Sequence, residues 1–471
     1  MGRFPLKRAL LLTLCASLSG CGYLPFQQVE PVDTKFVLLG PDGIAVARAI
    51  TGAAQCPDIV LDGTAQMMTV RMPPGTIPLR PTRSNPSLSK PSAFPVLTCE
   101  ATIPKGTLRA TIHGDALPLP KGNPQRIVVL GDTGCRIKVG DNVFQNCNDP
   151  LRWPFERVAN AAAATAPDLV IHVGDYHYRE NACPRSELGC AGSPWGYGWD
   201  AWRADFFQPA RKLFAAAPWI VIRGNHESCA RAGQGWWRFL DTRPVAPRQD
   251  CNAAVDDVIG DYSEPYVVPL DAARDTEFIV FDSSLVGVAP LAPTDLMYRN
   301  YHAQLIRAFA RTAGTPRTFF MSHHPVLGFA ANPSRPQSPY PGNAGLQSVL
   351  HNLHPTVLFP PNIEALLAGH NHIFQMVSFS TAHPPQFISG NAGDWVDPPF
   401  PTPFPPGLQP APGAVVAEIV STNRFGFMAM ERAGTGWTMT ARDLHGAALT
   451  TCTLGERKAR CAPIENPWAK P

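Results

Sequence analysis

After the apolar stretch ALLLTLCASL near its N-terminus, the chain has no second long hydrophobic run, no internal repeat, no CxxC pair and almost no charge excess. Each absence removes a class. Without further apolar runs, a polytopic membrane protein is excluded. Without a repeat, so is a solenoid. Without paired CxxC motifs, zinc ribbons and thioredoxin-like redox sites lose their ligands. With 40 Lys+Arg against 37 Asp+Glu, the net charge is only +3, too little for the basic footprint of a nucleic-acid binder. What remains is a 471-residue globular chain, 45% hydrophobic, long enough for one large domain and a smaller one, and rich in proline with 51 residues.

The N-terminus reads as an export signal. Arg3, Lys7 and Arg8 precede the apolar run, which is too short to span a bilayer as a finished helix. Ser19 and Gly20 then lead into Cys21, an ending that resembles a bacterial lipobox. By that resemblance residues 1–21 are signal and lipobox, Cys21 carries the lipid, and residues 22–33 are a tether. Gly22 after the cysteine, in place of an aspartate, points to the outer membrane, with the folded part in the periplasm or outside the cell. An exported chain also explains the cysteines. Apart from Cys15 and Cys21 there are ten: Cys56, Cys99, Cys135, Cys147, Cys183, Cys190, Cys229, Cys251, Cys452 and Cys461. An even number in an oxidising compartment favours disulfides, most simply between neighbours in sequence order, although sequence alone does not fix the pairing.

From Thr34 to His113 short β-like runs such as KFVLL and MMTVRM give a small β-rich region, set at residues 34–120. From residue 121 to 465 the texture changes. Apolar runs recur, each ending in a polar or glycine-rich cluster: RIVVL before GDTG, DLVIHV before GDYHY, WIVIR before GNHE, FIVF before DSS, TFFM before SHHP. Helical patterns lie between them at Phe155 to Ala164, Trp199 to Ala216, and Met297 to Ala313, the last with Tyr301, Leu305, Ile306 and Phe309 on one face. Alternating strands and helices make an α/β core with polar groups gathered at the strands' C-terminal ends. A proline-dense loop from Asp397 then leads to VVAEIV, FGFMAMER and WTMTARDL, read as an antiparallel meander.

The strand ends carry, in order, Asp132, Asp175, Tyr178, Asn225, His226, His323, His324, His370 and His372. Oxygen and imidazole donors of this kind suit a pair of borderline or hard cations, and a bridging carboxylate can hold two ions about 3.5–4 Å apart. A single GDTG or GHNH is a common turn; the ordered set is far more specific. GDTG, GDYHY, GNHE, HHP and GHNH together resemble the five blocks of the calcineurin-like metallophosphoesterases across Arg126 to Ala392, and Tyr178 in GDxxY resembles the purple acid phosphatase branch.

That resemblance implies a four-layer sandwich, two mixed β-sheets flanked by helices, preceded by the small N-terminal β-rich domain. It implies ferric iron on Asp132, Tyr178 and His372, with Asp175 bridging to a divalent ion (zinc, manganese or iron) held by Asn225, His323 and His370. His323 is preferred to His324 because it stands two residues before Pro325, as the family's ligand does. His226 and His324 would flank the phosphate as acid or hydrogen-bond donors. The implied reaction is attack of metal-bound hydroxide on a small phosphate monoester at mildly acid pH. Within the same core a phosphodiesterase acting on nucleotide or phospholipid-headgroup esters is the alternative, and a non-catalytic envelope-binding lipoprotein a more distant one.

Several neighbours are read as structural. His177 is a supporting or solvent-facing group, His172 a satisfied strand histidine, and Asn391 in ISGNAG a shaper of the pocket. Trp195, Tyr197, Trp199, Trp202, Trp236 and Trp237 are read as packing around the site rather than as substrate contacts.

Overall fold

The computed structural model describes residues 32–462; the signal segment and Cys21 lie outside the described residues. Two sheets stack face to face. The first has eleven strands in the order Lys458–Cys461, Ala448–Gly455, Gly436–Asp443, Gly426–Ala433, Arg126–Leu130, Leu169–His172, Trp219–Val221, Val32–Leu39, Ala45–Thr51, Leu97–Ile103 and Thr69–Met72. The second has seven: Tyr266–Pro269, Thr276–Phe281, Arg317–Ser322, Ile363–Ala368, Gln386–Ser389, Phe374–Phe379 and Val416–Thr422.

The alternation of side chains along each strand explains the layers. Ile127, Val129, Ile171 and Ile220 of the first sheet face Phe278, Val280, Phe319, Met321 and Leu367 of the second in one shared core. Val128, Leu130, Val170 and Val221 point the other way and are covered by helix Phe155–Ala164 and an aromatic layer of Tyr197, Trp199, Trp202, Phe206, Trp219, Trp236 and Trp237. Helices Leu296–Thr312 and Ala344–Leu353 cover the outer face of the second sheet. Strands buried on both faces are continuous apolar runs, and for that reason RIVVL, FIVF and TFFM carry so few polar residues. The sandwich has the four layers expected.

The N-terminal stretch is β-rich, and its strands continue the first sheet: Val32–Leu39 pairs in parallel with Trp219–Val221 and antiparallel with Ala45–Thr51. Its apolar side, including Val37, Ala47, Cys99 and Ile112, belongs to the shared core. Two local readings are corrected. VVAEIV leaves the meander and pairs with Phe374–Phe379 at the edge of the second sheet, while Gly426–Ala433 crosses to the first sheet beside Arg126–Leu130. Ile306 is 47% exposed, since at 100° per residue it turns away from the face of Tyr301, Leu305 and Phe309.

The Trp199 to Ala216 pattern is broken by Pro209, which cannot supply a helical N–H. Helix Trp199–Trp202 widens into a π turn over Arg203–Phe207 before helix Arg211–Ala216. Widened turns often mark functional sites, and this one presents Asp205.

The ten cysteines pair in sequence order: Cys56–Cys99, Cys135–Cys147, Cys183–Cys190, Cys229–Cys251 and Cys452–Cys461. Cys135–Cys147 and Cys183–Cys190 share a small core with Ile137, so the loops after GDTG and GDYHY are stapled and packed on each other. No helix among the described residues is long and apolar enough to cross a membrane.

Candidate active site

Asp132 follows Arg126–Leu130, Asp175 follows Leu169–His172, Asn225 follows Trp219–Val221, His323 and His324 follow Arg317–Ser322, and His370 follows Ile363–Ala368. The parallel strands leave these residues at one edge of the sandwich. Asp132, Asp175 and His370 adopt left-handed backbone angles, φ of 56°, 59° and 69°, which turn each side chain sharply off its strand. Glycines make room: a methyl group at Gly174 would collide with the His323 ring, and one at Gly224 with the Asp175 carboxylate.

All seven proposed ligands converge. Tyr178 Oη lies 2.9 Å from Asp175 Oδ2, 3.1 Å from Asp132 Oδ1 and 3.2 Å from His372 Nε2. Asn225 Oδ1 lies 3.1 Å from His323 Nε2 and 3.0 Å from His370 Nδ1. Donor atoms of Asp175, His323 and His370 fall within 4.8 Å of one another. Asp175 Oδ2 touches both halves, 3.2 Å from His323 Nε2 and 2.9 Å from the Tyr178 hydroxyl.

Whether this set fits two cations is decided by its tautomers. His323 Nδ1–H donates to the Val173 carbonyl at 2.8 Å, and His372 Nδ1–H to the Trp395 carbonyl at 2.8 Å. Both rings therefore aim Nε2 inward, the backbone carbonyl fixing orientation as it does in metal sites. Lone pairs of imidazole, amide and carboxylate then point at one another, an arrangement that calls for positive charge between them. Protons answer that demand when nothing else does. Burial works against a charged imidazole, but Asp175 pushes His323 up to about 9, and Asp394 with Asp132 pushes His372 up to about 10. The set is all oxygen and nitrogen, and the described cysteines are in disulfides. It fits hard or borderline cations.

The remaining titrations follow from burial. Burial and the nearby His323 charge hold His370 down at about 3. Burial raises Asp132, whereas at Asp175 the His323 charge and the His226 backbone N–H outweigh burial and keep the carboxyl well below the usual range. Burial and then the Asp132 and Asp175 charges push the Tyr178 phenol well above its ordinary value.

Both flanking histidines lie beside the cluster. The His226 ring lies 3.8 Å from the Tyr178 ring, centroid to centroid and tilted by 37°, and its Nδ1–H donates to the His177 carbonyl at 3.0 Å. Burial and then Arg231, whose Nη2 is 2.7 Å from His226 Nε2, keep that imidazole neutral. The His324 ring lies 4.2 Å from the His370 ring, with Nδ1 3.2 Å from Ser283 Oγ.

The structure adds residues that the sequence did not single out. Glu227 accepts the backbone N–H groups of Asp175, Tyr176, His177 and Gly224, which fixes the GDYHY loop against GNHE. Asp205 accepts N–H groups from Cys135, Tyr178 and Arg179. Asp394 binds Arg136 and lies 3.4 Å from His372 Nε2. Glu180 binds Arg231 and accepts from the Tyr197 hydroxyl. Glu227 stands inside GNHE and was in plain view; Asp205 and Asp394 occupy no motif.

The supporting residues are placed too. His177 is fully buried beside Tyr197 and Trp202 and does not face solvent. His172 is satisfied on its strand, by Thr133 Oγ1 at 3.1 Å and the Gly174 N–H at 3.2 Å. Asn391 is buried and donates to the Arg424 carbonyl, closing the loop beside Asp132. Tyr197, Trp199, Trp202, Trp236 and Trp237 are core residues, and Trp195 lies under Lys90.

No curated protein sequence matches the chain. Among solved structures, a purple acid phosphatase from yellow lupin (Lupinus luteus) seeds aligns over 89% of this chain and 74% of that one, at 14% identity and a TM-score of 0.51. The structure of PhoD aligns over 95% of both chains at 11% identity and a TM-score of 0.52. At such identities the likeness is one of fold. The sequence model of the calcineurin-like phosphoesterases matches residues 125–374, more than half of the chain. The protein therefore belongs to the calcineurin-like phosphoesterase family, whose chemistry is metal-dependent hydrolysis of phosphoesters.

Proposed function

We propose that this phosphoesterase is a phosphate monoesterase of the purple acid phosphatase type. The observation that carries the reading is the Tyr178 hydroxyl, buried within hydrogen-bond distance of Asp132, Asp175 and His372. A phenol so surrounded is stubbornly neutral unless a strongly charged cation takes its proton's place, and ferric iron is such a cation. Asp132, Tyr178 and His372 would hold it. Asn225, His323 and His370 would hold a divalent zinc, manganese or iron, with Asp175 between the two. When bound, the two ions would supply Lewis acidity to a water nucleophile and positive charge for the phosphoryl oxygens.

The chain's own groups do the rest. His323 and His372 present Nε2 because backbone carbonyls hold their other nitrogen. His226, neutral beside Arg231, gains a proton as a phosphate dianion offsets the arginine, and so can protonate the leaving oxygen, a contribution typically worth about 10²–10⁴ in rate. His324 stands on the divalent side, oriented by Ser283, to hydrogen-bond the ester. Burial of Asp132, Asp175, Tyr178 and His323 strengthens each of these interactions.

The test of the tyrosinate is spectroscopic. The iron-loaded protein should show a visible charge-transfer absorption that Tyr178→Phe abolishes; a native protein that binds two irons yet stays colourless contradicts the reading. The location is likewise proposed, from residues 1–22 alone: a lipid on Cys21 tethers the enzyme to the outer membrane, where small phosphate esters reach it. Labelling with a radiolabelled fatty acid, lost in Cys21→Ala, would establish the anchor, and an unlabelled native chain would remove it.

A further inference from the structure

Beside the His372 end of the site lies an open groove of about 740 Å³, lined by Arg136, Phe144, Glu187, Trp395 and Asp397 with His372 at its inner edge. We propose that it seats an uncharged, flat aromatic leaving group, stacked on Trp395, so that the preferred substrates are aromatic phosphate esters. The proposal rests on the phosphoesterase reading and names its substrate class.

Trp395 is 56% exposed, unlike the five Trp and Tyr residues around the site that sequence placed in its packing and that are buried. The backbone that carries this exposed ring is tied on both sides. Its N–H donates to Asp394 Oδ1 at 2.6 Å and its carbonyl accepts from His372 at 2.8 Å. An indole open to solvent, carried on a backbone bonded to a proposed ligand histidine, is a stacking platform beside the site.

The walls are equally fixed. Phe144 sits in the hairpin closed by Cys135–Cys147, and Glu187 in the loop closed by Cys183–Cys190, the two staples packing together. A preformed groove needs little ordering on binding, which preserves affinity for a rigid planar group. Arg136 joins groove to site: its guanidinium bonds Asp394 and lies 5.1 Å from the centre of the Tyr178 ring. Charge selects against a second anion. The lining carries the carboxylates of Glu187 and Asp397 against the single guanidinium of Arg136, itself paired with Asp394. The groove volume accommodates a phenol or a nucleoside, so two sources share the chemistry.

The experiment uses the full chain in detergent with iron and zinc supplied. kcat/KM is measured for phenyl phosphate, adenosine 5′-monophosphate and glycerol 3-phosphate, together with calorimetric titration of each ester. Aromatic esters should exceed glycerol phosphate by roughly tenfold, the usual scale of one stacking contact. Trp395→Ala should collapse that ratio towards one, and Trp395→Phe should keep most of it. A purely structural role for Trp395 would lower all esters together and leave the ratio, which would overturn the proposal, as would equal values for all three esters in the native protein. Preference for adenosine monophosphate over phenyl phosphate identifies a nucleoside as the source, and the reverse a phenol. If no ester is hydrolysed, the phosphatase reading falls, and calorimetry still decides the groove: tighter adenosine monophosphate binding by the native protein than by Trp395→Ala supports it, and equal binding refutes it.

Discussion

The Glu227 carboxylate accepts the backbone N–H of Tyr176 at 2.9 Å. With the N–H groups of Asp175, His177 and Gly224 on the same carboxylate, one buried side chain holds the loops that carry Asp175, Tyr178 and Asn225. Removing it strands four buried donors. Glu227→Ala should cost about 3 kcal/mol or more in urea unfolding, because each unsatisfied buried group costs roughly 1–3 kcal/mol. Activity should fall by about 10–100-fold through misplacement of the ligands. Full activity in a stable Glu227→Ala protein would show that the loops hold themselves.

Tyr178→Phe keeps the ring that packs against His226 and removes only the hydroxyl. Its activity on a phosphate monoester should drop by about 10–100-fold, with weaker iron retention on dialysis against a chelator. Unchanged iron retention would assign Tyr178 to packing.

The Cys229–Cys251 disulfide lies against Gly233 and Gly260, just beyond GNHE, and Arg223 reaches it from the strand side. Replacing both cysteines by alanine should lower stability by about 3 kcal/mol, the scale for a loop of this length. Measured Tm should fall by several degrees, while the groove, stapled elsewhere, should keep its ligand preference. An unaltered Tm would mean that packing alone fixes this loop.

Buried Asp241 is held below the usual aspartate value; burial opposes this, and the Arg243 guanidinium outweighs it. A depressed folded value stabilises the protein above the unfolded pKa of about 3.9, and that stability is lost as pH falls through the folded value. Asp241→Asn should therefore cost about 1–3 kcal/mol at pH 7, with the difference from native shrinking below about pH 4. A difference that stays constant down to pH 3 would contradict the ion pair.

Much of the site was legible because parallel strands end where chemistry begins: Asp132, Asp175, Asn225, His323 and His370 each follow a short apolar run, and the structure brings them together. What orients them was less legible. Asp205 and Asp394 act through backbone N–H groups and through Arg136, contacts that depend on a π turn and a loop crossing that no local pattern encodes. Trp395 escaped notice because its exposure, not its identity, sets it apart from the buried aromatics. The same limit applies to sheet membership. VVAEIV reads as a strand from its residues, yet its pairing with Phe374–Phe379 at the edge of the second sheet shows only in the folded chain. The N-terminal strands likewise show their β character locally and their pairing with Trp219–Val221 only in the folded chain.

Hydrolysis of p-nitrophenyl phosphate and bis(p-nitrophenyl) phosphate by the full chain from pH 4 to 9, with iron and zinc or manganese supplied, separates a monoesterase from a diesterase most directly. The monoester should be preferred at acid pH, and Asp175→Ala should abolish its hydrolysis. Preference for the diester would move the protein to the phosphodiesterases, and a protein that holds two metals yet hydrolyses neither ester would not be a phosphatase of this type.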